Sequence, residues 1–503
     1  MTSPDQACWA ALVRRERDRD VYWSRRDPIC RDRLVWQAQS FRHLTHLLPG
    51  ETIVELGAGQ GWFTRALVQV TRARNPITAV TFDSEMAPTA AESPVVERIS
   101  WGGLSGAPGG RRFRYVVVQN LLDRDNASQL LRMVFGLLED GGECVFFESN
   151  PWNPVFALRD ALKRMFGRPR AQLLFSRPEL EPLVAEAGFD DISARFTDFV
   201  YAPLTPRLVW LLRNLSILLE NAPGVRALAG RILIHAKKSP GDAPRDKVSL
   251  VRHDNLRGAV SVVVPCHDEE MNVGPLADGL RAHFGEYLHQ IVLVDDNSTD
   301  STRAAIEALA ADDARIVPVI RAPPSGVGRA LADGFRAASG RYVLSMDCDF
   351  QHLLPELEDM FDAVAAGAEV VLGSRFSRHS VLIDYPFTKI LANRAFHVIV
   401  NALFRLRRRD LTNNLKLMRS DIVKRLHVRE TGFAANAEIG VQLALSGCAL
   451  EEVPISWINR DRDMGHSSFK LWRSGGGYLR VLGRMALATR FGSRPFAGRG
   501  GEA

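Results

Sequence analysis

No stretch of this chain stays apolar for the roughly 18 residues that a membrane-spanning helix needs. The longest candidate, Leu208 to Leu219, is broken by Arg213 and Asn214. A secretory signal is also missing, because charge is spread from Arg14 to Arg33 where an apolar core would stand. The expectation is therefore a protein of the cytoplasm. Cysteine is sparse: the six residues Cys8, Cys30, Cys144, Cys266, Cys348 and Cys448 form no Cys-x-x-Cys pair and no zinc-like spacing. A disulfide framework and a zinc module are excluded, and reduced structural thiols are expected. Internal repeats and low-complexity tracts are absent too, which removes solenoids and disordered arrays.

What is there is a long globular chain. Its 503 residues are 46% hydrophobic and 24% charged, too many for one ordinary core, so two or more domains are expected. The segment Lys237-Lys238-Ser239-Pro240-Gly241-Asp242-Ala243-Pro244-Arg245-Asp246-Lys247 is polar and rich in Pro and Gly, and reads as linker. On both sides of it, short apolar strands alternate with helical patterns, so both halves read as α/β with largely parallel sheets.

Charge is uneven. Residues 375–425 hold twelve Lys or Arg against three acids, an excess larger than the net +6 of the whole chain. Such a block suits an anionic partner: nucleic acid, a phosphorylated substrate or anionic lipid, with a solvated face as the plain alternative. Nucleic acid is disfavoured, because the block is backed by apolar residues and lacks interleaved aromatics for base stacking.

The most informative stretch is Met346-Asp347-Cys348-Asp349-Phe350-Gln351-His352, just after the apolar run Tyr342-Val343-Leu344-Ser345. It reads as a buried strand ending in Asp-x-Asp. Paired carboxylates suit Mg2+ or Mn2+, which commonly bridge to substrate phosphates. Two further strands end alike. Val260-Ser261-Val262-Val263-Val264-Pro265, stopped by its proline, leads into Cys266-His267-Asp268-Glu269-Glu270. Gln290-Ile291-Val292-Leu293-Val294 leads into Asp295-Asp296-Asn297-Ser298-Thr299-Asp300. Three acidic strand ends on one edge form a constellation, at the edge where open α/β sheets bind ligands.

In this order and spacing the motifs resemble family 2 glycosyltransferases of GT-A fold, most closely polyprenyl- or dolichyl-phosphate sugar synthases, over about residues 258–485. The resemblance implies that Pro265, Glu269, Asp295 and Asp296 hold base and ribose of a nucleotide sugar such as GDP-mannose or UDP-glucose. It assigns metal and diphosphate to Asp347, Asp349 and Gln351. Arg375, in Gly373-Ser374-Arg375, would contact phosphate. Asp410-Leu411-Thr412-Asn413-Asn414-Leu415-Lys416-Leu417-Met418-Arg419 resembles the family's Asp-x-Thr-Ser-Gly-Phe-Arg segment. Arg460, Arg462, Ser467, Ser468 and Lys470 resemble its late segment that closes over the phosphates. The chain departs from the pattern at Asp268, at Asn413-Asn414 in place of Ser-Gly, and at Phe469 inside the Ser-Lys pair.

Stepping about 100° per residue from Lys389, Lys389, Asn393, Arg394, His397, Asn401 and Arg405 share one face, within roughly 160°. Leu391, Ala392, Ala395, Phe396, Val398, Ile399, Ala402, Leu403 and Leu406 fill the rest, and Arg407-Arg408-Arg409 closes the segment. Either the apolar face packs on the domain's own sheet, or the helix lies at a membrane surface with basic side chains meeting headgroups or a lipid phosphate. The resemblance favours the second and makes Lys389 the candidate for the acceptor phosphate. His267 and His397 read as ordinary polar-edge histidines. A hydroxyl acceptor would need a base, for which Asp410 or Glu438 are the candidates.

In the first half, the strand Thr52-Ile53-Val54-Glu55-Leu56 precedes Gly57-Ala58-Gly59-Gln60-Gly61 and a helix from Trp62 to Val70. The next strand, Ile77 to Phe82, ends at Asp83, where a doubly wound fold offers a carboxylate to a ribose. A dinucleotide site is one reading of this pattern. With Tyr115 to Leu122 and Leu138 to Pro151 added, the pattern resembles class I S-adenosylmethionine-dependent methyltransferases over about residues 35–200. That implies a cofactor pocket of Glu55, Gly57, Gly59, Gly61, Asp83 and Gln119. The usual acid after the third strand has no counterpart in Ser100 to Gly106. Active methyl transfer and a retained fold without activity both remain open.

The expected organisation is thus a Rossmann-like methyltransferase fold with helical extensions over 1–236, a linker at 237–257, a GT-A nucleotide-diphospho-sugar transferase fold over 258–485, and a tail at 486–503. The expected enzyme moves a hexose to a polyprenyl phosphate while docked peripherally on the cytoplasmic face of a membrane.

Overall fold

The computed structural model describes residues 5–25, 27–86, 93–105, 110–165, 174–200, 205–239, 247–349, 354–383, 385–458 and 471–490. The chain divides into two compact units, Met1–Asp246 and Lys247–Ala503. Gln351, Arg460, Arg462, Ser467, Ser468 and Lys470 lie outside the described residues. No helix among the described residues is long and apolar enough to cross a membrane.

In the first unit, helices α1 (Gln6–Trp23) and α2 (Pro28–Leu44) precede seven strands. These are β1 (Ile53–Leu56), β2 (Ile77–Thr81), β3 (Val96–Ser100), β4 (Phe113–Gln119), β5 (Leu138–Ser149), β6 (Asp190–Thr197) and β7 (Arg231–Lys237). They form one sheet in the order β3-β2-β1-β4-β5-β7-β6. All pairs are parallel except the two made by β7. Val54, Val80, Val116, Val118 and Phe146 are buried in its core, as expected of parallel strands covered on both faces. The order reverses between β1 and β4, so the ligand crevice of such a fold lies at their carboxyl ends. Arg213, which broke the longest apolar run, is 1% exposed and ion-paired with Asp32 (2.8 Å) and Asp198 (3.0 Å).

The second unit carries β8 (Val260–Cys266), β9 (Leu288–Asp295), β10 (Ile316–Ile320), β11 (Tyr342–Ser345), β12 (Val370–Ser374), β13 (Val381–Ile383), β14 (Lys416–Arg419), β15 (Leu450–Pro454) and β16 (Ser456–Ile458). Seven form a sheet in the order β10-β9-β8-β11-β14-β12-β15, while β13 and β16 pair separately. Only β14 runs against its neighbours. Pro265 does not stop β8: the strand runs on to Cys266, with Pro265 beside Val294. The sheet reverses between β8 and β11, so the segments after them flank its crevice. The last helix, Leu471–Arg490, runs past residue 485, where the tail was expected to begin.

Candidate functional site

Two crevices follow from these sheets. In the first unit the sequence-predicted cofactor residues gather as expected at the ends of β1, β2 and β4, but α1 already holds them. Gly59 N–H donates to Glu16 Oε1 at 2.9 Å. The N–H groups of Phe82 and Asp83 donate to Glu16 Oε2 at 3.0 and 2.8 Å. Gln60 N–H donates to Asp20, and the Arg19 guanidinium donates to the carbonyls of Gly57 and Gln119. Arg17 pairs with Asp83 and holds its carboxyl below the usual range. A Cβ on Gly59 would sit 2.3 Å from the Asp20 carboxylate. Glu55 is buried, accepts from Thr64 Oγ1 at 2.6 Å, and is pushed up to about 7 by burial. Gln119 donates to Gln37 at 2.7 Å, and Gly61 takes a left-handed turn (φ 81°) before the Trp62–Val70 helix. The crevice in which the sequence placed a cofactor pocket is occupied in this structure by the Glu16 and Asp20 carboxylates of α1.

In the second unit a cavity of about 820 Å3 opens over the carboxyl ends of β8, β9 and β11. Pro265, Glu269, Asp296, Asp347, Asp349, Arg375 and Lys389 all line it. Asp349 is 5% exposed, and burial together with Asp349 pushes Asp347 up to about 7. Two like charges confined this way favour a cation between them, so this donor pair fits a divalent ion. Among the described residues no group of three acid, His or Cys side chains forms a ready metal cluster. Asn414 Nδ2 donates to Asp347 Oδ1 at 2.8 Å, and its backbone carbonyl accepts from Ser345 at 2.6 Å. Beneath them the Lys416 ammonium donates to the Asn413 carbonyl and is lowered to about 7 by burial.

Other expected contacts are redirected. Asp295 does not line the cavity; its carboxylate accepts from Ser298 N–H at 3.1 Å and braces the loop. Asp296 accepts from Gly326 N–H at 2.6 Å and pairs with Arg321, which the motif reading missed. Arg321 follows β10 directly, so the same strand-end rule that found the acids would have found it. Arg375 was expected on phosphate, yet its guanidinium forks onto Asp410 at 2.7 and 3.0 Å and donates to Tyr385 and Thr412. That pairing holds the Asp410 carboxyl far below its ordinary value, which removes it as a base. Glu438 is fully buried, accepts from the N–H groups of Arg429 and Glu430 at 2.8 Å, and bonds Arg484. It is a structural acid.

The Phe387–Phe404 helix is amphipathic, but inside out. Its polar stripe faces the protein: Asn393 donates to Thr412 at 2.7 Å, Asn401 to the Arg408 carbonyl at 2.8 Å, and Arg394 lies on the Phe376 ring. Leu391, Val398, Ile399 and Leu403 are 48–69% exposed. The apolar residues divide: Phe396 and Val400 join the core with Val263, Val343 and Val370 of the sheet, while Leu391, Val398, Ile399 and Leu403 stay outside. Periodicity finds two stripes but does not say which one turns in.

His397 sits in that inward stripe. Its Nδ1 donates to the Asn393 carbonyl at 2.8 Å, and its Nε2 accepts from Leu411 N–H at 2.8 Å. Protonation would set a second donor against Leu411 N–H. Burial lowers the imidazole to about 4, against a smaller upward pull from Asp410. The unfolded chain therefore binds more protons than the folded one between its ordinary value near 6.5 and 4, and stability falls on acidification through that window. Unfolding free energy should drop by about 2 kcal/mol between pH 7 and pH 5 from this group. Urea titrations at both pH values, beside His397→Gln, measure it; an equal drop in the variant would remove the assignment.

Residues 261–426 match the sequence model of Glycosyl transferase family 2. The C-terminal unit carries a family 2 glycosyltransferase domain. The domain resembles the polyprenol- and dolichol-phosphate mannosyltransferases. A polyprenol monophosphomannose synthase of Mycolicibacterium smegmatis is 28% identical over 207 residues, 40% of this chain and 77% of that protein. A dolichol-phosphate mannosyltransferase of Pyrococcus furiosus is 27% identical over 213 residues, 42% of this chain and 59% of that one. A solved structure of glucosyl-3-phosphoglycerate synthase from Mycobacterium tuberculosis aligns with TM-score 0.37 and 17% identity, covering 52% of this chain and 88% of that one. The glycosyltransferase domain keeps both acids of its Asp-x-Asp in the cavity.

Proposed function

We propose that the glycosyltransferase domain transfers a hexose from a nucleotide sugar, GDP-mannose or UDP-glucose, to a polyprenyl phosphate, with inversion. One observation carries this reading. The cavity that holds Asp347 and Asp349 also runs between two helices, lined there by Ala392, Ala395, Phe396 and Ile399 and by Leu479 and Leu482. A polar reaction centre continuous with an apolar channel suits a phosphate on a greasy chain. Lys389 lines the same cavity and is the candidate contact for the acceptor phosphate. Mg2+ or Mn2+ held by Asp347 and Asp349, with Gln351, would supply charge stabilisation for the departing nucleoside diphosphate. A phosphate monoester has its second pKa near 6, so the acceptor is an ionised nucleophile at neutral pH. Transfer then needs no base, in keeping with Asp410 and Glu438 both being committed elsewhere. A hydroxyl acceptor lacks this support. The outward apolar face of the Phe387–Phe404 helix fits peripheral docking on the cytoplasmic face of a membrane. The test is metal-dependent transfer of labelled hexose into an organic-extractable product, with each donor in turn.

For the first unit we propose a class I methyltransferase-like fold. The strand order β3-β2-β1-β4-β5-β7-β6, with β7 antiparallel, supports it. S-adenosylmethionine does not fit the crevice as it stands. The N–H groups of Gly59 and Asp83 are bonded to Glu16, and the Asp83 carboxylate to Arg17. This favours a non-catalytic binding or positioning module over active methyl transfer. Titration calorimetry of the full chain with S-adenosylmethionine should give no saturable binding up to about 1 mM. Saturable micromolar binding would restore the methyltransferase reading.

A further inference from the structure

The longest apolar run of the sequence, Leu208 to Leu219, serves neither crevice. It makes up most of the Pro206–Glu220 helix, where Arg213 turns inward onto Asp32 and Asp198. Leu208, Leu211 and Leu215 are left on the opposite side, 42–54% exposed. A second stripe stands on the Pro154–Met165 helix. At about 100° per residue, Val155, Leu158, Leu162 and Met165 share an arc of roughly 80°. They are 45–68% exposed. Both helices border the short turn Val225–Leu228: Asn153, just ahead of the first, donates to the Leu228 carbonyl at 2.7 Å, and the second packs on the same turn. Among the described residues of the first unit, ten of the eleven exposed large apolar side chains fall within residues 152–228. Scattered apolar side chains need no explanation, but a patch marks a surface that another body covers.

Charge selects that body. In sequence, residues 152–165 hold Arg159, Lys163 and Arg164 against one acid, Asp160. On the second helix and the turn, Arg207 and Arg226 are exposed. Glu220, the acid there, is bonded inward to the Asp198 N–H at 2.8 Å and to Ser216 at 2.5 Å. The patch therefore joins apolar stripes to an excess of basic residues. A twofold contact with a second copy would set the same cations against each other. A bilayer with anionic headgroups suits both parts, its acyl boundary covering the stripes and its headgroups meeting the cations. We infer that the first unit docks on an anionic membrane surface through these two helices, a surface of its own and separate from the Phe387–Phe404 stripe. The inference does not rest on the glycosyl-transfer reading.

Co-sedimentation of the full chain with vesicles tests it in a Val398→Glu/Leu403→Glu background, which disables the exposed stripe of the second unit. That protein should still bind vesicles of phosphatidylcholine and phosphatidylglycerol mixed three to one, and should bind pure phosphatidylcholine at least about 10-fold more weakly. Adding Leu158→Glu/Leu162→Glu should lower the partition coefficient on the mixed vesicles by at least about 10-fold. Adding Arg207→Glu/Arg226→Glu instead should lower it by about 10-fold. Melting temperatures should not change, because all four side chains are exposed. No binding in this background, equal binding to the two kinds of vesicle, or binding that either added pair leaves intact would overturn the inference. A fall in melting temperature would show that the helices are covered by their own fold, and a dimer lost on Leu158→Glu/Leu162→Glu would show a second copy as the occupant; either would overturn it too. Hexose transfer in detergent is read separately, so each of these results leaves the glycosyl-transfer reading standing.

Discussion

Asp349→Ala should lower metal-dependent labelling of polyprenyl phosphate by at least about 10^3-fold, since a cation on the leaving group supplies several kcal/mol of stabilisation. The loss should come without unfolding. Asp347 and Asp349 repel each other across a buried gap, and that repulsion contributes to pushing Asp347 up to about 7. Removing one carboxylate relieves it, so the metal-free variant should melt at the same temperature as wild type or higher. Chelation of wild type should reproduce the loss, and added Mn2+ should reverse it. A variant that keeps more than about a tenth of the wild-type rate would end the metal-assisted reading.

Asp410→Ala should instead cost stability, about 3–5 kcal/mol by urea denaturation. Asp410 accepts from the Arg375 backbone N–H at 3.1 Å, from its guanidinium at 2.7 and 3.0 Å, and from Thr412 N–H and Oγ1 at 3.3 and 3.1 Å. Its removal strands a buried guanidinium. The double variant Arg375→Met/Asp410→Leu should recover much of the loss, because no unpaired charge is left inside. A base for a hydroxyl acceptor predicts the reverse: Asp410→Ala folded as well as wild type but without turnover. The two outcomes separate a structural Asp410 from an Asp410 that serves as base.

The sequence made the strands and the acids legible, because parallel strands buried on both faces leave unbroken apolar runs and their carboxyl ends collect the chemistry. Asp347, Asp349, Glu269 and Asp296 reach one cavity for that reason. Partners of charged side chains were not legible. Arg375 and Asp410 are 35 residues apart, and nothing in their spacing joins them. The charge-rich α1 shows no apolar stripe, so it reads only as a helical extension, yet Arg15, Glu16, Arg19 and Asp20 are all buried. Its side chains are satisfied by backbone groups of the glycine loop and of β2's end, and backbone groups leave no trace in a residue pattern.

The outward apolar stripe of the Phe387–Phe404 helix has a consequence for handling and for evolution alike. Among the described residues, the polar stripe of this helix bonds on its inner side to Thr412, Leu411, Arg408 and Arg409. On the outer side Leu391, Val398, Ile399 and Leu403 stand exposed. Under the proposed membrane docking, substitutions at Leu391, Val398 and Leu403 would change affinity for a greasy surface while leaving the inner hydrogen bonds in place.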